Sequence, residues 1–178
     1  TKTGELIREV LQHDLTREYI YGETEAFLFA ASRAQLVRTI IRPALAEGKV
    51  VLADRFIDSS IVYQGYAREL DIDEVTRLNR FAVDGTMPGV TFLIDIDMKA
   101  AFRRLEERQR KTGMGFDRME RETEVFHRRV RDGYLSVAAG CSDRFVVLDG
   151  ERSEQDIHAE IFSEVQHRFF LKGLPDDF

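Results

Sequence analysis

A single cysteine, Cys141, in a chain of 178 residues excludes an internal disulfide and is compatible with a reducing cytosol. No apolar run approaches the length of a membrane span, and no secretory apolar region opens the chain. An excess of positive charge is also missing. With 26 basic residues against 32 acidic ones the net charge is -6, which disfavours a general nucleic-acid coat, although local basic clusters can still hold a small phosphate ligand. The length suits one domain with a substantial core. The first residue is Thr1 rather than methionine, so an upstream segment is expected.

What is present centres on Val50 to Gly65, VVLADRFIDSSIVYQG. The apolar run Val50, Val51, Leu52, Ala53 closes abruptly on Asp54-Arg55, the pattern of a strand buried on both faces of a parallel sheet. Ligands of open α/β sheets bind beyond the carboxyl ends of strands, where these two residues would emerge. A guanidinium forks onto phosphate oxygens, and a neighbouring carboxylate orders the water shell of a metal. The same two residues also read as a local ion pair at a strand end.

Along the rest of the chain, Leu6, Ile7, Val10 and Leu11 predict a short amphipathic helix over Glu5 to Gln12, with His13 in the loop after it. A long helix is predicted from about Glu23 to Glu47. Its stripe is Phe29, Val37, Ile40, Ile41, Ala44 and Leu45, Pro43 kinks or restarts it, and Gly48 stops it. Phe29 and Arg33 are four apart and share a face. Ser59, Ser60 and Tyr63 fall on neighbouring turns of a further helix, and Arg68 lies in the loop beyond. Asp73 is the expected cap of a helix through Val83, with Val75, Leu78, Phe81 and Ala82 inward and Gly85 and Pro88 closing it. Val90 to Asp95 and Phe145 to Leu148 read as two more apolar strands. Between them a helix capped by Asp97 carries Ala100, Ala101 and Leu105, and another runs from Glu120 to Ala139. Asp95 reads as a strand-end cap in preference to a residue approaching a metal. After the last strand, Ser153, Glu154 and Asp156 open a terminal helix whose inward residues are Ile157, Ile161, Val165 and Phe169. The tail from Leu174 reads as frayed.

The segment RLEERQRKTGMGFDRMERE places Arg108, Arg110 and Lys111 before Gly113 and Gly115. Basic residues beside glycine hinges suit a mobile flap over phosphates, and equally a solvated turn between charged helices.

The order DRF, SS, YQG resembles the strand and helix of thymidylate kinases, whose usual form is DRY-x-x-S-x-x-A-Y-Q-G; Phe56 stands for its tyrosine and Val62 for its alanine. The resemblance extends through FLFAASRAQLV and PGVTFLIDID and covers essentially the whole chain. It implies an α/β fold, a three-layer parallel sheet wrapped by helices of the P-loop nucleoside monophosphate kinase type. The implied reaction moves a phosphoryl group from ATP to dTMP with Mg2+. In this reading Phe29 stacks on the base, Arg33 meets its O4 edge, Ser60 sits near its N3 edge, Tyr63 lies near the sugar and Gln64 nearby. Arg55 holds the acceptor phosphate and Asp54 orders the magnesium waters. A lid at about 108–117 supplies a catalytic arginine, with Arg108 first and Arg110 and Lys111 next. Arg108 also faces ATP, and the loop Gly150, Glu151, Arg152 embraces its adenine. A cytoplasmic homodimer acting on neither nucleic acid nor membrane completes the expectation.

One part of the family pattern is missing. A kinase of this fold needs G-x-x-x-x-G-K-[ST], whose backbone N–H groups cradle ATP phosphates. Only Gly48 precedes a lysine here, and Val50 follows. The chain therefore resembles a single thymidylate kinase domain, 1–178, without its first strand and phosphate loop, and alone it is expected to be inactive. Three strands are expected where the family has five. A non-catalytic nucleotide-binding protein, or a kinase for another nucleoside monophosphate, remains an alternative.

Overall fold

The computed structural model describes residues 1–12, 18–113 and 115–170. His13 and the tail beyond Phe170 fall outside them. Helix α1 spans Lys2–Gln12 and buries Leu11, while Leu6 stays half exposed. Helix α2 spans Gly22–Leu36 and passes through a wide π turn, Val37–Ile41, into α3, Arg42–Ala46. Pro43 explains the wide turn. Proline has no N–H to give and its ring clashes with the carbonyl four residues back, so the widened turn lets the rod continue through it. Gly48, at φ 74°, ends the rod in the left-handed region that glycine enters without strain.

Helix α4, Ile57–Ser60, continues as a π turn over Ile61–Ala67. Helix α5 spans Ile72–Val83. Its cap is Asp71, whose carboxylate accepts from the Glu74 N–H at 2.9 Å; Asp73, the expected cap, lies inside the first turn. Phe81 is a further correction: it is 83 % exposed, because the buried side of this helix runs through Val75, Asn79, Ala82 and Val83.

Strands β1, Thr91–Asp95, and β2, Phe145–Asp149, pair in parallel, register running from Thr91 opposite Phe145 to Asp95 opposite Asp149. Parallel neighbours need a long crossover, here α6, Met98–Thr112, and α7, Glu124–Gly140. Thr123 caps α7, four residues later than the expected start. Helix α8, Glu154–Val165, is capped by Ser153 and followed by a π turn, Gln166–Phe170. Its residues Ile157, Ile161 and Val165 are only half buried and Phe169 is exposed, so α8 lies on the surface rather than in the core.

The expected strand Val50 to Ala53 is not a strand. Val51 packs on the core, but Val50 is 67 % exposed and Leu52 90 %. A strand needs a neighbour to take its backbone hydrogen bonds, and among the described residues β1 and β2 pair only with each other. The architecture is thus a helix-rich α/β domain with a small parallel sheet.

Two apolar clusters fix the segment 57–67. Val37, Ile41, Ile57 and Val83 form one, and Val62, Ala67, Phe126 and Val130 the other. Burying a side chain the size of Ile57 contributes about 1.5–3 kcal/mol. Gly133 lets α7 approach: a Cβ there would sit 2.9 Å from Tyr66. The Asp58 carboxylate takes two bonds from Arg144, at 2.6 and 2.8 Å, and Arg144 also donates to Thr91. This buried pair ties the start of α4 to the starts of both strands.

Candidate active site

A cavity of about 1000 Å³ opens at the carboxyl end of β1, where Leu93, Ile94 and Asp95 form part of its lining. The expected residues Phe29, Arg33, Asp54, Arg55, Ser60, Tyr63, Gln64 and Arg108 all reach it. They arrive from three places: α2, the turn into α4 with its π extension, and the end of α6.

Arg33 is buried and already engaged. It donates to Asn79 Oδ1, to Ser60 Oγ at 2.8 Å and to the Phe56 carbonyl at 3.3 Å, and its guanidinium lies 5.7 Å from the Phe56 ring centre. Burial draws its pKa down to about 10, opposed by the charge of Asp58. At neutral pH it remains a cation, held by neutral partners.

Arg55 differs. Its backbone sits at φ 64°, a left-handed conformation that costs a residue with a side chain about 1–2 kcal/mol. The guanidinium lies 5.1 Å from the Tyr63 ring centre, and Arg55 forms no ion pair among the described residues. A cation parked on an aromatic face is a charge available to an incoming anion. Tyr63 is wedged edge-on against Phe126 and Tyr134. Tyr134 also shares a 2.6 Å hydrogen bond with Ser59, and burial pushes its hydroxyl up to about 12.

At the end of α6, Arg108 pairs with Glu120 at 2.8 Å, and that bond, with a smaller contribution from the Arg55 charge, holds the Glu120 carboxyl below its usual range. Glu120 and Asp117 hold each other: each backbone N–H donates to the other's carboxylate, at 2.8 and 3.1 Å. Arg131 forks onto Asp95 at 2.7 and 2.8 Å and lowers its pKa, so Asp95 is an ion-pair partner rather than a simple strand cap.

Five expected residues lie elsewhere. Arg110 and Lys111 line a separate shallow depression with Glu107. Glu151 and Arg152 are exposed, and Arg152 pairs with Glu160. Gly150 also stays outside the cavity and is packed tightly: its N–H donates to the Asp95 carbonyl at 2.6 Å, and a Cβ would sit 2.7 Å from that oxygen.

The chain order hid other members. Glu25, completely buried, accepts from Gln64 at 2.6 Å and pairs with Arg68 and Arg118. Arg68 also pairs with Glu122 and covers the Phe126 ring. Asn79, Tyr134 and Arg118 complete the set.

No three His, Cys, Asp or Glu residues converge on a metal position among the described residues. The described residues thus offer no all-protein cage. Mg2+ commonly keeps its waters and takes one or two carboxylates plus phosphates, and Asp54 at the cavity fits that mode.

A cavity at the end of a parallel strand, lined by aromatics and guanidiniums, has a chemistry suited to a phosphorylated ligand with a flat ring. The comparisons narrow that class. The family model for thymidylate kinase matches residues 1–161. The chain is similar to the thymidylate kinase of Pelotomaculum thermopropionicum, 44 % identical over 97 % of this chain and 79 % of the relative. It is also similar to those of Kosmotoga olearia (46 %; 92 % of this chain, 76 % of the relative) and Halothermothrix orenii (47 %; 93 % and 77 %). The chain belongs to the thymidylate kinase family.

Proposed function

We propose that this protein transfers the terminal phosphoryl group of ATP to dTMP, giving dTDP and ADP in the supply of dTTP. The observation that carries this is the gathering of Phe29, Arg33, Arg55, Ser60, Tyr63 and Gln64 around one cavity in a chain of this family. Phe29 offers a face for the base. Arg33 can only donate, so it suits the O4 carbonyl of thymine and not the amine of cytosine. Arg55, free of ion pairs among the described residues, takes the acceptor phosphate, with Tyr63 beneath it near the sugar.

The attacking oxygen belongs to a phosphate already ionised near neutral pH, so the site needs no strong base. Positioning and charge neutralisation supply the rate, which suits arginines and an aspartate. Asp54 would hold the waters of a bound magnesium ion, which would supply charge neutralisation to the phosphates. Residues 108–117 act as a lid within a single domain spanning 1–178. Arg108 is its first catalytic candidate, since it alone of the three basic lid residues reaches the cavity. Arg110 and Lys111 stand next and reach the phosphates only after closure. Gly150, Glu151 and Arg152 embrace the adenine through backbone. The surrounding architecture is the helix-wrapped parallel sheet of P-loop nucleoside monophosphate kinases. Exposed Phe27 and Phe81 on α2 and α5 support a homodimer through packed helices, and the free thiol of Cys141 suits the cytoplasm. Neither nucleic acid nor membrane enters this reading.

The test is ADP release by the full-length protein with ATP, Mg2+ and each pyrimidine monophosphate. Turnover with dTMP well above dCMP is expected. Binding without turnover would make it a non-catalytic nucleotide-binding protein, and preference for another monophosphate would reassign the substrate.

A further inference from the structure

Glu25 sits in the first turn of α2 with no exposed surface. It does not reach the cavity, and it faces two guanidiniums, of Arg68 at 3.3 Å and of Arg118, together with the amide of Gln64. A carboxylate so placed accepts and does not donate. The Gln64 amide can satisfy it in one orientation only, with Nε2 turned toward Glu25, at 2.6 Å. Its other end is then fixed. Gln64 Oε1 is buried, has no hydrogen-bond partner among the described residues, and belongs to a residue that lines the cavity and is 1 % exposed. A buried acceptor left without a donor is a place where a ligand's N–H or O–H is worth most.

Neighbouring contacts say which part of a ligand that is. Gln64 lies one turn beyond Ser60, and Ser60 is bonded to Arg33, so the three side chains share one patch of wall. We propose that Glu25 is a positioning residue: by locking the Gln64 amide it obliges the site to meet a hydrogen-bond donor on the edge of the acceptor base. Thymine and uracil carry N–H at ring position 3, whereas cytosine carries a bare nitrogen there. The lock therefore selects against cytosine independently of Arg33. The inference rests on the reading above, in which Gln64 faces the acceptor nucleotide.

Glu25→Gln keeps shape and volume but replaces an obligate acceptor by an amide that donates or accepts. The Gln64 amide can then turn either way. In the full-length enzyme, the ratio of kcat/KM for dTMP to that for dCMP should fall by about fivefold or more, chiefly through KM. Glu25→Asp, still acceptor-only, should retain most of the wild-type ratio. Gln64→Met tests the underlying reading, and the double variant tests whether both act on one contact.

A purely structural Glu25, serving only to neutralise Arg68 and Arg118, predicts a lower Tm and less active enzyme with an unchanged ratio. That result overturns the proposal. If Gln64→Met lowers the ratio while Glu25→Gln does not, the lock is wrong and the place of Gln64 stands. An unchanged ratio in Gln64→Met overturns both. A fall in both single variants, with no further fall in the double variant, is the expected result.

Discussion

The two sides of the cavity are built differently. On the acceptor wall the charged and polar groups form a mostly buried network, Arg33 with Asn79 and Ser60, Glu25 with Gln64, Arg68 and Arg118, in which Gln64 Oε1 and Arg68 Nε are left without a partner among the described residues. On the lid side the pairs are partly exposed and simple, Arg108 with Glu120 and Arg131 with Asp95. A buried network is costly to leave half made, so it holds one geometry. An exposed pair contributes little, so its members exchange partners readily. The first wall suits recognition of a rigid base. The second suits groups that change partners as a phosphoryl group moves.

The largest effect that sharpens this contrast is on the acceptor wall. Arg33→Ala removes a charged donor and strands Asn79 Oδ1, with a loss of about 1.5–3 kcal/mol per lost charged hydrogen bond. It should weaken dTMP by about ten- to a hundredfold and also lower Tm, read by calorimetry alongside steady-state kinetics. A kinetic loss with unchanged Tm would mean that the buried network is not structural.

Next comes Arg108→Ala. In the full-length enzyme it should lower kcat far more than it raises KM for dTMP, because the charge it meets develops during transfer, and Tm should barely move. A large Tm change would place Arg108 with the rigid wall instead. Substituting Arg110 or Lys111 should cost less than Arg108 in the same assay; parity would show that closure carries all three to the phosphates.

The smallest effect is on pH. Asp95 and Glu120 are held below their unfolded values by Arg131 and Arg108. The unfolded state therefore takes up protons first as pH falls. Their stabilisation is full above the ordinary carboxylate range, about 4, and is lost as pH drops through the lower folded values. Arg131→Gln should flatten the acid limb of a Tm–pH curve, and an unaltered limb would show that the Asp95 pair is not felt.

The same contrast marks what the sequence could convey. Phe29 and Arg33, four apart, could be read from helical spacing as sharing a face, whereas Ser60, Tyr63 and Gln64 are marked only by the resemblance of DRF, SS, YQG to a family pattern. Their supports could not be read: Asn79 is 46 residues from Arg33, and Arg118 is 93 from Glu25, separations that leave no local pattern. Helix limits were legible where punctuation is chemical, as at Gly48 and Ser153. Asp71 and Asp73 are both good caps, and only the N–H actually engaged decides between them. The apolar run at Val50 to Ala53 predicts burial, yet burial depends on a neighbouring strand, a property of the sheet rather than of the run itself. On the lid side, basic residues beside glycines show no face, so Arg108 and Arg110 look alike until one turns into the cavity and the other away.

The most direct test of the recognition wall is the ratio of kcat/KM for dTMP to that for dCMP, in the wild-type enzyme and in Arg33→Ala. Being a ratio, it is independent of how much of the variant is folded, so the expected loss of stability does not disguise it. A fall of about tenfold or more is predicted, since an obligate donor that favours O4 over an amine has been removed. A variant that keeps the wild-type preference would show that Arg33 does not read the base, and the assignment of this wall to thymine recognition would fail.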